Sequence, residues 1–599
     1  MGISAYYHDS AACLLGDSKI LAAAQEERFT RIKHDSSFPQ RAIEYCCSEA
    51  NIQPTEIDCV GYYEKPNLKF DRIIKTFEHY APRGFDCFYQ AVENWIGEKS
   101  KVQEKLVSIF GSAEVHYNEH HGSHAMSAFY PSPFEDAAIL TIDGVGEWAT
   151  STLSHGQGSK VDIIKELRFP HSVGLLYSAF TAFTGFRVNS GEYKVMGLAP
   201  YGRPKYVDKI LNELIDLKED GSLRLNLDYF TFPYSQKMSN EKFEELFDGP
   251  MRSPESKLTQ REMDLAKSVQ VVVEKIVLRM ARYARQLTGS SNLCLAGGVA
   301  LNCVANGKLS RAAIFDNIWV QPASGDAGGA LGSAYGAYFK NEKHERSILT
   351  TDSMRGSFLG PEFNDSEVQI FLDKKNIKYR RLCKSSFFSK VAELISEGNV
   401  VGWFQGRMEY GPRALGNRSI LADPRSPEMQ KVLNLKIKYR ESFRPFAPAV
   451  LAHRQKEWFD LNAESPYMLF VGEVLKKHLL KTQDDESDFG IEKLNQARSS
   501  IPAVTHVDHS ARVQSVDEVR NPPFFRLISE FEKITGVPIL INTSFNVRGE
   551  PPVCSLNDAY TCFLRTEMDY LALGKFLLDK KQMQKLYHDK EWRKEFTLD

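Results

Sequence analysis

The sequence predicts an α/β protein: a two-lobed, actin-like (sugar-kinase-like) N-terminal domain followed by a second α/β domain. Three observations predict it. A strand–polar loop–strand unit opens the chain and recurs near residue 137, two strand–glycine–helix units follow, and a polar stretch near residue 350 precedes a fresh set of strands. In such a fold the turns converge on phosphates, because loop N–H groups and helix N-termini attract anions. The same spacing also fits a Rossmann-like domain with ordinary turns, and the residues alone do not separate the two.

The elements follow in order. GISAYY, the turn HDS, AACLL, the turn GDS and ILAAA read as three strands ending at Glu26-Glu27-Arg28. AAILTI then runs into Asp143-Gly144-Val145-Gly146, followed by WATSTLS and a HGQG turn. The strand NLCLA meets Gly297-Gly298 and a small-residue helix, VALNCVANGKL, and SGDAGGALGSAYGA from Ser324 leads into another. The stretch from Lys340 to Gly360 is the linker, giving domains over 1–350 and 361–599. Beyond it, strand VVGWF precedes the basic loop QGRMEYGPRALGNRSI, a helix is expected in KVLNLKIKYRE, and strands at AVTHV and VPILIN. The acidic run QDDESD at 483–488 reads as a solvated loop.

Composition narrows the class. At 599 residues, 42% hydrophobic and 25% charged, the chain holds ample material for two cores. Lys and Arg number 75 against 77 Asp and Glu, so no global basic field invites nucleic acid or an acidic membrane, and any anion site is local. Ten cysteines without a CxxC pair point to a reducing, cytoplasmic setting. His8-Asp9 stands where a signal peptide needs an apolar run, and the apolar stretch from Leu293 to Ala305 is too short to span a bilayer.

Two constellations carry chemistry. In NEHHGSHAMSAF, His120 and His124 lie four residues apart, so a helix puts both imidazoles on one face. Asp143 ends a strand and Asp326 sits among small residues, both read as exposed carboxylates. Two His and two Asp suit Fe(II), Mn(II) or Zn(II) with positions left for substrate. His121 competes for the first position, and spacing does not decide. The second constellation is cationic: Arg407, Arg413, Arg418, Lys436, Lys438, Arg440 and Arg444 crowd one region, and rigid arginines there can fork onto phosphate oxygens. Arg512 in SARVQ, with Asn542 and Ser544 in INTSFN, reads as further anion and base contacts.

These residues sit inside a longer run of ordered motifs: AYYHDSAACLL, AAAQEERFTRIKHDSSFP, HHGSHAMSAF, LTIDGVGEW, GEYKVMGLAPYG, AGGVALN, SGDAGGALGSA, GRMEYGPRALGNRSILADPR, FRPFAPAV, HVDHSARVQ and NTSFNVRGEP. In that run the chain resembles the O-carbamoyltransferases of antibiotic, toxin and nodulation-factor biosynthesis, the tobramycin carbamoyltransferase type, with some likeness to the paralytic-toxin branch. HVDHSARVQ departs slightly before its serine. The resemblance implies a metal-binding, actin-like transfer domain and a C-terminal domain forming carbamoyl-adenylate, similar to the tRNA threonylcarbamoyl-synthase type. It implies metal ligands at His120, His124, Asp143 and Asp326, and phosphate and nucleotide contacts at Arg413, Arg418, Lys438, Arg444, Arg512, Asn542 and Ser544. Gly297, Gly298 and Asn302 are expected to contact the nucleotide in the first domain. His8 is expected as general base on the acceptor hydroxyl, with Arg413, Arg444 and Arg512 acting in catalysis. The implied cofactors are Fe(II) or another divalent metal, ATP with Mg2+, and carbamoyl phosphate as donor. The expected partner is a small hydroxyl-bearing acceptor whose pocket lies near His8 and the GFRVNSGEYK loop, where Arg187, Asn189, Glu192 and Lys194 offer polar contacts; the loop fits packing against the nucleotide equally well. A homodimer is the default expectation. Competing readings are an actin-like ATP-binding regulatory module and a small-molecule kinase.

Overall fold

The computed structural model describes residues 1–481, 490, 494, 496–583, 592 and 595–596, so the acidic run at 483–488 lies outside the described residues. The chain divides into two compact units, Met1–Glu26 with His34–Ser353, and Glu27–Lys33 with Met354–Asp599. The excursion of Glu27–Lys33 into the second unit has no counterpart in the sequence pattern.

The first unit holds two five-stranded sheets. One contains β1 (Gly2–Ser4), β2 (Ala11–Gly16), β3 (Lys19–Gln25), β4 (Cys59–Tyr62) and β5 (Glu114–Tyr117), ordered β3-β2-β1-β4-β5. The other contains β6 (Asp136–Ile142), β7 (Ala149–Gln157) and β8 (Lys160–Arg168). After a separate hairpin, β9 (Ile215–Leu217) with β10 (Leu223–Leu225), it is completed by β11 (Asn292–Ala296) and β12 (Asn317–Val320), in the order β12-β11-β6-β7-β8. In each sheet the first three strands run antiparallel, and the last two join parallel on the far side of the first. One topology is therefore used twice. That repetition makes the unit actin-like and two-lobed, and it excludes the single doubly wound sheet of a Rossmann domain. Parallel pairing of β6 with β11, Leu293 opposite Ala138, sends the turns after both strands to the same end of the sheet.

Small residues let the helices close in. The Asp326–Phe339 helix, DAGGALGSAYGAYF, packs so tightly that a Cβ added to Gly2 or Gly61 would overlap the carbonyls of Ala330 or Ser333. A Cβ on Gly332 would overlap the Ser123 carbonyl of the His120–Phe129 helix. The helix carrying Asp326 is thus wedged between the first sheet and the helix carrying the histidines. The linker stretch is irregular but anchored: the Arg346 guanidinium donates to the carbonyls of Phe129, Tyr130, Ser132 and Phe134.

The second unit is built on a ten-stranded sheet. Its strands are β13 (Arg380–Arg381), β14 (Val401–Phe404), β15 (Arg418–Ala422), β16 (Ala447–Leu451), β17 (Phe459–Asp460), β18 (Phe470–Val474), β19 (Ser510–Val516), β20 (Ile539–Ser544), β21 (Tyr570–Leu573) and β22 (Phe576–Asp579), ordered β13-β22-β21-β14-β15-β20-β16-β19-β18-β17. The Lys384–Ser396 and Pro522–Thr535 helices contribute Phe387, Val391, Phe524 and Phe531 to the core around Trp403 and Leu421. One sequence expectation fails here and another holds only in part. AVTHV is no strand: Pro502 opens a short helical turn through Val504, and His506 N–H closes a turn on the Ser510 carbonyl, so β19 starts only at Ser510. KVLNLKIKYRE is helical only in its first part: the α-helical turn Met429–Val432 runs directly into a wider π turn, Leu433–Ile437, and the helix ends before Lys438.

Candidate metal centre and cationic cluster

The first cluster is assembled from three chain segments. His120 and His124 come from one face of the His120–Phe129 helix, Asp143 from the turn after β6, and Asp326 from the first turn of its wedged helix. The Nε2 atoms of His120 and His124 lie 3.1 Å apart, and each is 3.1 Å from Asp143 Oδ2 and 3.7 Å from Asp326 Oδ1. One donor atom from each of the four side chains lies within 4.8 Å of the others. Donors about 2.1 Å from one ion, at angles near 90–110°, stand about 3.0–3.4 Å apart, so the His120, His124 and Asp143 atoms are at divalent-cation spacing, with Asp326 Oδ1 at 3.7 Å just beyond it. Two neutral imidazoles with two carboxylates balance a dication.

The surroundings hold this geometry. Gly298 N–H donates to Asp143 Oδ1 at 3.2 Å, and a Cβ there would stand 2.9 Å from that oxygen. Gly146 leaves the same clearance for the His120 Cβ, 2.9 Å from where its own would be. Glu147 caps the helix, both carboxylate oxygens accepting from His120 N–H at 3.1 Å. Burial opposes charge on His124, but Asp143 and Asp326 outweigh it and raise the imidazole to about 9. Burial opposes charge on Asp143 as well, yet hydrogen bonds from the two imidazoles hold its carboxyl well below the usual range.

His121 stands apart. Its Nδ1 is 2.6 Å from Thr141 Oγ1, which is itself 2.6 Å from Thr152 Oγ1, and burial drives the ring far below the usual imidazole range. A neutral histidine on the helix, bonded to a hydroxyl of the sheet beneath it, is a packing group. Asp326 is not exposed, as the sequence had suggested, but buried.

The second cluster lies in the second unit. Lys438 is buried, its Nζ donating to the carbonyls of Ser544 at 2.6 Å and Asn546 at 2.8 Å and to Asn546 Oδ1 at 2.5 Å. Burial, with Arg440 nearby, pushes that ammonium well below the usual lysine range. Arg444 and Arg548 flank Glu441 at 3.5 and 3.4 Å, and Arg31 pairs with Glu550 at 3.0 Å.

The matched families now decide the matter. The family described as Carbamoyltransferase N-terminus matches residues 1–335, and Carbamoyltransferase C-terminus matches 392–580. The chain belongs to the carbamoyltransferase family. The Synechocystis protein sll1178, uncharacterized, is 54% identical over 100% of this chain and 99% of its own length. The nodulation protein NolNO of Sinorhizobium fredii is 37% identical, covering 96% of this chain and 79% of its own. The 3'-hydroxymethylcephem-O-carbamoyltransferase of Amycolatopsis lactamdurans is 27% identical over 92% of this chain and 94% of its own. Membership makes the protein a transferase and sets aside the readings as a regulatory module or a kinase. No helix among the described residues is long and apolar enough to cross a membrane.

Within this carbamoyltransferase the remaining predicted residues divide sharply. His8 lies beside the first cluster, its Nδ1 3.0 Å from Asp9 Oδ2 and its Nε2 3.7 Å from Asp326 Oδ2. Burial lowers its tendency to protonate, but Asp326 and Asp9 together carry it well above the usual imidazole range. Asn302 is spent on structure: it caps the Cys303–Arg311 helix and pairs with Gln270. Gly297 takes a φ of +87° against the Ile142 carbonyl, a close approach that only glycine makes cheaply.

Arg418 is a correction. It is fully buried in β15, with Nη1 on the carbonyls of Gln405, Gly406 and Asn417, Nη2 on that of Pro361, and its guanidinium 3.6 Å from the Phe404 ring centroid. Such a group ties strands together and is not turned to a phosphate. The loop it ends is no anion cradle either, since Glu409 Oε1 accepts the N–H groups of Leu415, Asn417 and Arg418. Arg407 likewise donates to the carbonyls of Leu359 and Gly360. Arg413, Arg444 and Arg512 stay half-buried. Asn542 reaches across to Ala414 and Gln514, and Ser544 sits under Lys438. In the GFRVNSGEYK loop, Glu192 accepts from Ser178 Oγ and Asn189 N–H, so its carboxylate is already engaged, while Arg187 is exposed and Lys194 buried.

Sequence reasoning missed several residues. Asp9 bridges His8 and His34, reaching the latter at 2.9 Å, and its left-handed φ of 53° is a turn signal visible only as an HDS tripeptide. Glu147 and Arg31 were readable as motif members, in DGVGEW and EERFTRIK, but nothing local marked their partners.

Proposed function

We propose that the chain is an ATP-dependent O-carbamoyltransferase that activates carbamoyl phosphate as carbamoyl-adenylate and passes the carbamoyl group to a hydroxyl of a small molecule. The observation that carries this is the convergence of His120, His124, Asp143 and Asp326 at metal-ligand spacing in a carbamoyltransferase whose second unit gathers Arg31, Lys438, Arg440, Arg444 and Arg548. The names of the cephem-modifying and nodulation relatives support an oxygen acceptor on a small molecule.

In this reading the second unit forms the adenylate. Carbamoyl phosphate and ATP repel each other, and Arg413, Arg444 and Arg512 neutralise and align them; water first cleaves carbamoyl phosphate and inorganic phosphate leaves, and the carbamate oxygen so freed attacks the α-phosphorus while pyrophosphate departs. Lys438 holds the Ser544 turn and Asn542 the Ala414 carbonyl; we assign both to positioning, and Arg418 to the scaffold. Magnesium enters with the nucleotide, bound mainly through its phosphates.

The first unit carries the transfer. His120, His124, Asp143 and Asp326 would hold a divalent ion, Fe(II) or another, which would supply Lewis-acid polarisation and a template for the adenylate. His8 takes the proton of the acceptor hydroxyl through Nε2, while Asp9 fixes the ring through Nδ1. Asp326 and Asp9 draw the His8 imidazole upward against burial, and a cation sharing Asp326 would relieve part of that pull. The acceptor oxygen bonds to the carbamoyl carbon, the carbon–oxygen bond to the phosphate breaks, and AMP leaves with that electron pair.

The test is direct. Purified protein with carbamoyl phosphate, ATP and Mg2+ is offered a panel of small alcohols, including aminoglycoside, cephem, oligosaccharide and guanidinium-alkaloid acceptors. The expected result is carbamate ester by mass with one AMP per ester. Phosphorylated product, or none together with no carbamoyl-phosphate-dependent pyrophosphate, contradicts the proposal.

A further inference from the structure

We propose that the Tyr63 hydroxyl donates a hydrogen bond to a negatively charged substrate oxygen held at the His120–His124–Asp143–Asp326 cluster. The inference rests on the transfer reading above and adds a residue to it. Tyr63 directly follows β4, and its N–H donates to the Ile3 carbonyl of β1 at 3.0 Å. Because β4 and β1 are parallel neighbours, Tyr63 and the His8 loop emerge at the same end of the first sheet.

Both ligand-bearing helices hold the side chain in place. Its ring meets the His120 ring edge-on, centroids 5.6 Å apart. Its carbonyl accepts from Ser123 Oγ at 2.9 Å, on the histidine helix. A Cβ added to Gly329, one turn into the Asp326 helix, would stand 3.0 Å from Tyr63 Cδ2. The residue is only 1% exposed, yet its hydroxyl has no hydrogen-bond partner among the described residues. Neighbouring Tyr62, equally buried, spends its own on the Ala5 carbonyl at 3.3 Å. A buried hydroxyl left unmatched costs free energy that a phenylalanine in the same space would avoid, so a partner from outside the chain is the economical explanation.

The nearby carboxylates do not supply that partner. Glu64 is committed to Lys69 at 2.6 Å and Lys99 at 2.9 Å, and Asp326 belongs to the cluster. During transfer, negative charge develops on the carbamoyl oxygen as the acceptor attacks, then on the departing phosphate. A fixed O–H donor stabilises either without reorganising.

The experiment compares wild type with Tyr63→Phe in the full chain loaded with Mn2+, and Tyr62→Phe is the matched control. Calorimetry reads Mn2+ affinity and then AMP affinity, and the acceptor found in the screen above reads transfer. Expected are unchanged Mn2+ affinity, an unchanged or higher melting midpoint and intact pyrophosphate release, with one of two losses. A roughly 10-fold loss of AMP affinity places the bond on the phosphate. Unchanged AMP affinity with a roughly 10-fold lower transfer kcat places it on the carbamoyl oxygen. AMP affinity and kcat both within 2-fold of wild type overturn the proposal, and so does a fall in Mn2+ affinity, because Tyr63 would then merely shape His120. If wild type makes neither carbamate nor carbamoyl-phosphate-dependent pyrophosphate while AMP binding still depends on Tyr63, the proposed carbamoyl-adenylate route fails and this inference stands.

Discussion

The two clusters differ in where their charged heads point. In the first unit, His120, His124, Asp143 and Asp326 aim one donor atom each at a common point, and their backbone supports leave those atoms uncovered. In the second, Arg418, Arg407 and Lys438 aim at backbone carbonyls of their own unit, and Glu409 fills the loop that looked built for phosphate. Motif membership therefore says little about availability. A charge becomes a ligand contact only where the fold has not already satisfied it.

Substitutions sharpen this contrast, beginning with the largest effect. His124→Ala removes a donor from the converging set and should lower carbamoyl transfer at least about 100-fold, while carbamoyl-phosphate-dependent pyrophosphate release persists. Arg444→Ala should do the reverse, abolishing pyrophosphate release and leaving Mn2+ binding unchanged. Equal loss of both activities in both folded variants would break the division between the units.

Arg418→Met should behave as a stability mutant. A fully buried guanidinium and its bonds to four carbonyls are lost, and urea unfolding should show a loss of about 2–4 kcal/mol with an unchanged KM for ATP. A raised KM at wild-type stability would return Arg418 to the nucleotide site. His121→Leu should leave Mn2+ affinity within about 10-fold of wild type, in contrast to His124→Ala.

The smallest effect concerns acid stability. Glu64 is buried, which alone would raise its carboxyl, but Lys69 and Lys99 hold it at about 2 against an ordinary 4.5. A depressed carboxyl stabilises the fold above its unfolded value and loses that contribution as pH falls from about 4.5 to about 2. Glu64→Gln should therefore be less stable at neutral pH and show a flatter acid limb in thermal melts.

How much of this was readable beforehand depended on range. The four-residue spacing of His120 and His124 is a local helical signal, and the strand–turn pattern around Asp143 is local too, so both could be found from sequence. Asp326 could be singled out by its small-residue helix but not recognised as buried, because the groups that stand against it, His8, His120 and His124, come from far away in the chain. Choosing between His120 and His121 required the hydroxyl pair Thr141–Thr152 on adjacent strands. Arg413 and Arg418 look alike in GPRALGNR; only β15, pairing with β14 and β20, separates them by burying the second. The Glu27–Lys33 excursion, which ties Arg28 to Gly411 and Arg31 to Glu550, leaves no periodic trace. AVTHV misled because its apolar alternation outweighed Pro502.

The central claim is that side chains from three separate segments form one cation site. Anomalous diffraction from crystals of the full chain grown with Mn2+ tests it most directly. The account predicts one peak per chain within about 2.3 Å of His120 Nε2, His124 Nε2 and oxygens of Asp143 and Asp326, absent in His124→Ala. A peak elsewhere, or one at this position that survives His124→Ala and Asp326→Asn at full occupancy, would contradict it.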